Sequence, residues 1–388
     1  MKHIPAIILF CLSLSTTLKA QQVQPDTLTW GTQKNMPHFY EELKARLTWP
    51  MAWGNSKQTN FKKWRKQARH TLMDCAETIL PAPESYSMSV SAREQREGYE
   101  ARKIWFNVSE WCRIPAYLLV PEGEGPFPAI VMLHDHGAHF SIGKEKMVRP
   151  FNVSPEVMED ADHWAAGCYD NQYVGDYFAA HGYVVLAIDA LFWGERGRKE
   201  GPDYDGQQAL AGNFLQMGTS WGSVINMDDV RSAEFLASLP FVDAGKIGSL
   251  GFSMGAYRSW MMAAMSDVVA ASASICWMNT TAYLMTLTNN QNKGGSAYSM
   301  LLPGLRRYMD YPHVAAIACP KPALFFNGTR DKLFPVEGVE DAYRIMRQTW
   351  ESQKAGERLV TKIWEEKHFF NKAMQHETLQ FFDKWLKR

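Results

Sequence analysis

The chain has 388 residues, 46% of them hydrophobic and 21% charged, enough apolar material for one large α/β domain with additions or for two modest domains. Lys+Arg and Asp+Glu balance at 41 each, so no basic excess argues for nucleic acid as a partner. The 14 tryptophans suit core packing, with a minority left as flat platforms for sugar rings.

The N-terminus reads as an export address. Met1-Lys2-His3 is basic, residues 4–14 are apolar, and Leu18-Lys19-Ala20 offers a small-residue cleavage site, so a cleaved signal over residues 1–20 is expected. The apolar run is short for a bilayer and no later stretch resembles a membrane span, which predicts a soluble, exported mature chain. Cys11 falls inside the signal. Cys75, Cys112, Cys168, Cys276 and Cys319 remain, odd in number and widely spaced, and specify no disulfide framework; one bridge or buried free thiols both stay open.

Residues 37–47 read as a short helix. Phe61, Trp64, Ala68, Leu72, Cys75, Ala76 and Ile79 then recur at helical spacing, with Lys62, Lys63, Arg65 and Lys66 on a solvated face. Pro81 and Pro83 close this region, giving an N-terminal helical extension over 21–83 and a catalytic domain over 84–388. Residues 86–92, 99–108 and 112–120 alternate as antiparallel strands do. Residues 129–133 are continuously apolar, the pattern of a strand buried on both faces.

Strands and helices alternate from there. Helices are predicted over 174–180, 227–239, 336–350 and 372–386. Strands are predicted over 183–188, from 246 into Ser253, and over 268–275, 323–326 and 359–364. That succession predicts an α/β fold, a mostly parallel sheet with helices on both faces. Residues 137–173, 192–222 and 280–312 break the alternation and each follows a predicted strand. They read as irregular insertions walling a cleft at the strand ends.

Gly251-Phe252-Ser253-Met254-Gly255 sits where a strand gives way to a helix, the context in which a G-x-S-x-G serine becomes a nucleophile. A serine hydroxyl needs a base, and the base needs a carboxylate to fix its tautomer. His368, after the last predicted strand, is better placed than His376 within the final helix. Asp331 follows the strand over 323–326, whereas Glu340 and Asp341 read as surface charge on the next helix. The chain order Ser253, Asp331, His368 is that of an α/β-hydrolase triad. An oxyanion hole would use the N–H of Met254 and a second N–H near His136 or Gly137, in the loop after the strand over 129–133. The same loop holds His134, Asp135, His136 and His139, a set that could alternatively ligate zinc.

Leu118-Leu119-Val120-Pro121-Glu122, Leu133-His134-Asp135-His136-Gly137, Ile188-Asp189, the Gly251–Gly255 pattern, Gly328-Thr329-Arg330-Asp331 and His368 resemble the dienelactone-hydrolase-like branch of the α/β-hydrolase superfamily. The nearest resemblance is to secreted bacterial acetyl-xylan-esterase-like proteins, over residues 85–388. It implies an α/β-hydrolase fold, an acyl-enzyme mechanism without cofactor, and esters of plant polysaccharide, acetyl on xylan or methyl on pectin, as substrates. Two departures stand out: position 253 is serine where dienelactone hydrolases proper use cysteine, which favours esters, and position 256 is alanine where many relatives have glycine. A uronate substrate would suit an arginine clamp, for which Arg149, Arg196, Arg198 and Arg258 are candidates, with Trp193 as a further substrate contact. Ion pairing within the protein is the competing role for the arginines. Peptidase or lactonase chemistry on the same triad, and a catalytically silent carbohydrate-binding homologue, remain the alternatives; oligomeric state is unassigned.

Overall fold

A computed structural model describes residues 32–33, 36–37, 39–76, 80–197, 203–286 and 296–387. The expected signal segment and Arg198 lie outside the described residues. Two helices precede the sheet, α1 (Tyr40–Ala45) and α2 (Phe61–Cys75), the second capped by Asn60, which accepts from the Lys63 N–H. The chain then forms β1 (Ser89–Arg96), β2 (Tyr99–Asn107), β3 (Arg113–Pro121) and β4 (Phe127–Leu133). Helices α3 (Pro155–Cys168) and α4 (Val174–Ala180) lead to β5 (Val184–Ile188). Helices α5 (Tyr204–Gln216) and α6 (Trp221–Ala237) lead to β6 (Val242–Phe252). Next come α7 (Met254–Met265), β7 (Val269–Ile275), β8 (Ala323–Gly328), α8 (Val336–Ser352), β9 (Leu359–Trp364) and α9 (Lys372–Leu386).

The sheet has nine strands in the order β9-β8-β7-β6-β4-β5-β3-β2-β1. Strands β4 to β9 run parallel to one another, while β1, β2 and β3 add antiparallel pairings at one side. The strand order reverses around β4, whose neighbours are β5 and β6. The ends of β4 and β6 therefore flank the crevice where open α/β sheets place ligands.

Residues alternate between two cores, as the period of a strand dictates. Ala129, Val131 and Leu133 of β4 face a cluster containing Trp64, Ala68 and Leu72 of α2 and the apolar sides of α6, α7 and α8. Ile130 and Met132 face the opposite cluster, with Val174 and Phe178 of α4 and Met374, Leu379 and Phe382 of α9. The N-terminal helix α2 thus shares the main core. Arg65 and Arg69 add ion pairs of 2.9 and 2.7 Å to Asp267 just beyond α7.

The structure corrects the expectation of irregular insertions. The segment 137–173 contains the 14-residue α3, with Pro155 in its first turn, and 192–222 contains the 13-residue α5, capped by Asp203. The five cysteines of the described residues are free. Among the described residues no helix is long and apolar enough to cross a membrane.

Candidate active site

Strand β6 delivers Ser253 into a turn that only a particular backbone tolerates. Ser253 has φ 55° and ψ −121°, a conformation that costs a non-glycine residue on the order of 1–3 kcal/mol. Hydrogen bonds hold it there: its N–H donates to Ile275 O at the end of β7 (2.8 Å), and its carbonyl accepts from Ala256 (2.9 Å) and Tyr257 (3.1 Å). The flanking glycines are steric necessities. A Cβ at Gly251 would overlap the Gly255 carbonyl, and one at Gly255 would overlap the Leu133 carbonyl at the end of β4. The N–H groups of Met254 and Gly255, the first two of α7, have no acceptor within their own helix.

Asp331 and His368 meet across the ends of β8 and β9. His368 Nδ1 lies 2.7 Å from Asp331 Oδ2, while Asp331 Oδ1 accepts from the Leu333 N–H (2.9 Å). The Asp331 side chain is fully buried and the His368 ring is 23% exposed, so the carboxylate is shielded and the imidazole remains reachable. Phe252, the residue before Ser253, packs its ring 4.8 Å from that of His368, and Phe334 stacks on it at 6.0 Å. The β9 loop is laced to the β8 loop by Thr329 N–H to Trp364 O (2.8 Å) and Arg330 N–H to Glu366 O (2.9 Å).

The loop after β4 is held by a lysine that sequence reasoning did not single out. Lys146, fully buried, donates to the carbonyls of Asp135 (3.1 Å) and His136 (3.2 Å), and Trp193 Nε1 adds a second donor to His136 O (3.2 Å). A trans peptide points its N–H opposite its C=O. The N–H groups of His136 and Gly137 therefore project away from Lys146. Gly137 has φ 61°, and a Cβ there would overlap the Trp164 ring. Asp135 completes the anchor, accepting from Trp164 Nε1 (3.0 Å) and Tyr169 OH (2.7 Å). Farther along, Lys144 Nζ meets Glu145 (2.7 Å), Asp189 (2.9 Å) and Glu195 (2.7 Å), fastening this loop to the one after β5. Burial opposes the Lys144 charge, but the carboxylates, Asp189 foremost, hold its pKa well above the ordinary lysine value.

The histidines of this loop bond to different partners rather than converging, contrary to the zinc alternative. His134 Nδ1 donates to Asp135 O (2.8 Å) and its Nε2 accepts from the Ala190 N–H (3.0 Å). His136 Nδ1 accepts from the Ala138 N–H (2.9 Å), and burial, reinforced by Lys146, pushes its pKa down to about 3. His139 turns away to Asp160 (2.6 Å) and stacks on Trp164. Among the described residues, ligand-bearing side chains converge only at Cys276, Asp331 and His368.

The expected substrate contacts are also corrected. Arg258 is 1% exposed and holds Asp229 through two hydrogen bonds of 2.9 and 2.6 Å. Arg196 is tied to Asp228 (2.7 Å) and to the Asp189 carbonyl (3.1 Å). Both guanidiniums serve buried ion pairs, so neither forms the expected clamp. Trp193 is fully buried among His136, Phe140 and Trp221. Arg149 is exposed but lines a separate depression with Arg96, Tyr99, Tyr173 and Asp176.

A family model described as the Abhydrolase family matches residues 36–362. The chain belongs to the Abhydrolase family. Among curated relatives, "Putative hydrolase YtaP" of Bacillus subtilis is 26% identical over 323 residues, 83% of this chain and 98% of that protein. Solved structures share the family's α/β-hydrolase fold at lower identity. A "putative acetyl xylan esterase" of Bacteroides fragilis aligns with TM-score 0.62 at 18% identity, covering 79% of this chain and 75% of its own. Methylesterase BT1017 aligns with TM-score 0.61 at 16% identity, covering 88% and 68%.

Proposed function

We propose that this Abhydrolase member is a serine carboxylic-ester hydrolase that removes acetyl or methyl esters from plant cell-wall polysaccharide after export. The observation that carries the reading is the 2.7 Å contact of His368 Nδ1 with buried Asp331, packed through Phe252 against the strained turn at Ser253. In this mechanism Ser253 Oγ bonds to the ester carbonyl carbon while its proton passes to His368 Nε2. Asp331 holds the Nδ1–H tautomer and stabilises the imidazolium. The oxyanion is received by the Met254 N–H and by the N–H of His136 or Gly137, which Lys146 directs by pinning the opposite carbonyls. His368 then gives its proton to the departing alkoxide. Water, losing a proton to His368, releases the acid and regenerates Ser253.

The names of the solved relatives support the substrate class, acetylated xylan for one and a methyl ester for another. The test is assay of acetate and methanol from acetylated xylan and methyl-esterified pectin, alongside labelling by a fluorophosphonate probe. Labelling that disappears in Ser253→Ala, with release from either polymer, is the expected result. Labelling without release from either polymer would overturn the substrate class, and unchanged labelling of Ser253→Ala would overturn the nucleophile.

A further inference from the structure

Strand β7 ends as β6 does. Ser253 has φ 55° and bonds its N–H to the end of the next strand, and Cys276 has φ 60° and bonds its N–H to Phe326 O of β8 (2.7 Å). The repeated turn puts a thiol one strand away from Ser253, beside the Asp331–His368 pair. Cys276 Sγ, a carboxylate oxygen of Asp331 and a ring nitrogen of His368 lie within 4.8 Å of one another. Cys276 and Asp331 are buried, and the thiol also meets the Phe369 carbonyl at 3.8 Å.

A thiolate, an imidazole and a carboxylate are together a ligand set for a borderline divalent cation. Zinc bonds of about 2.3 Å to sulfur and about 2.0–2.1 Å to nitrogen and oxygen bring tetrahedral ligand atoms to about 3.3–3.6 Å apart. Side-chain movements of about an ångström close the triangle seen here. We propose that Cys276, Asp331 and His368 form an inhibitory site for a thiophilic divalent cation, represented by Zn²⁺. The ion reaches the site past the partly exposed His368 ring. Cys276 releases its proton to solvent as the Zn–S bond forms, and a water retained from the hydrated ion completes the fourth position; nothing is oxidised or reduced.

The consequence for catalysis does not depend on which ring nitrogen binds. If Nδ1 takes the metal, the ring proton resides on Nε2. If Nε2 takes it, that lone pair is occupied. Either way His368 has no lone pair to receive the Ser253 proton. Mg²⁺ and Ca²⁺, which prefer all-oxygen shells, are poor occupants. The inhibitory effect rests on the role proposed for His368, whereas metal binding itself does not.

Two measurements on the full chain test the site. Cobalt(II) titration should give a thiolate-to-cobalt charge-transfer band in the near ultraviolet that is absent in Cys276→Ala. Zinc should suppress hydrolysis of a 4-nitrophenyl acetate probe, reversibly with EDTA, and Cys276→Ala should need at least tenfold more Zn²⁺ for half inhibition while keeping its zinc-free rate. If circular dichroism shows Cys276→Ala to be unfolded, Cys276→Ser, of nearly the same size, takes its place in both measurements. Equal zinc sensitivity of wild type and variant, or a cobalt spectrum indifferent to residue 276, overturns the proposal. A Cys276-dependent band in a chain that hydrolyses no ester would instead sink the functional reading and leave the metal site standing.

Discussion

Gly328 on β8 faces the Glu366 carbonyl, with so little room that a Cβ would overlap the oxygen. This contact sets the spacing between the loop that carries Asp331 and the loop that carries His368. Gly328→Ala should therefore push the two apart. Backbone, rather than a pliable side chain, opposes the added methyl, so a destabilisation of about 1–3 kcal/mol is expected. Because ångström-scale misplacement of catalytic groups can cost about a hundredfold, kcat should fall at least tenfold. Steady-state kinetics alongside urea unfolding will show both losses; normal kcat would mean that the loops are spaced by something else.

Asp331→Asn keeps the shape of the carboxylate but can donate to His368 Nδ1, which favours the tautomer with its proton on Nε2. That tautomer cannot accept the Ser253 proton. The expected loss is about 10³–10⁴ in kcat with little change in KM. A loss below tenfold would exclude Asp331 as the orienting acid.

The elements, and the glycines that frame Ser253, were legible because they follow local rules. Residues 359–364 and 372–386 have the predicted bounds, and Gly251 and Gly255 announce the tight passage around Ser253. Helix α3 was hidden in a segment read as irregular, although Ser154-Pro155-Glu156 is a reasonable helix start and Ala161 and Ala165 share its buried side. The buried charges were illegible for a different reason. Lys144, Glu145 and Lys146 in succession look like surface, yet Lys144 meets Asp189 beyond the end of β5 and Lys146 meets Asp135 at the start of its own loop. No periodicity reports a contact 45 residues away. Arg196 and Arg258 were illegible for a similar reason, since solvent and a buried carboxylate are equally good destinations until the fold chooses.

Lys146 offers the next test. Lys146→Met preserves the length of the side chain and its packing on Trp164, but removes the donor shared by the Asp135 and His136 carbonyls. If those carbonyls aim the oxyanion N–H groups, kcat should fall about 10–100-fold with KM nearly unchanged, since an oxyanion donor acts mainly in the transition state. A rise in KM at constant kcat would assign Lys146 to substrate binding instead.

Arg258→Met leaves Asp229 buried without its counter-ion. Breaking such a pair from one side costs about 3–5 kcal/mol, whereas replacing both partners with apolar groups can be nearly neutral. Denaturant unfolding should therefore find Arg258→Met severely destabilised and the Arg258→Met, Asp229→Leu double variant largely restored. The double variant should also retain its KM for an esterified uronate, an outcome that a substrate clamp would not allow.

Acid should unfold this protein through histidines kept neutral inside it. Burial lowers His313 to about 4, with Asp310 opposing that shift and Arg306 adding to it, and lowers His136 to about 3. In the unfolded chain a histidine titrates near 6.5. Between about pH 4 and 6.5 the unfolded state therefore binds a proton that folded His313 refuses, and stability must fall as pH falls through that window. Above about pH 6.5 both states are neutral at this residue and its contribution is constant. One such histidine gives a slope of up to about 1.4 kcal/mol per pH unit. His313 Nδ1 accepts the Asp310 N–H at 3.1 Å, a contact that needs the neutral ring. His313→Gln can keep an acceptor there while abolishing the titration. Unfolding free energies measured at intervals from pH 4 to 7 should lose about one proton of slope in the variant, and superimposable slopes would show that His313 is not held neutral by the fold.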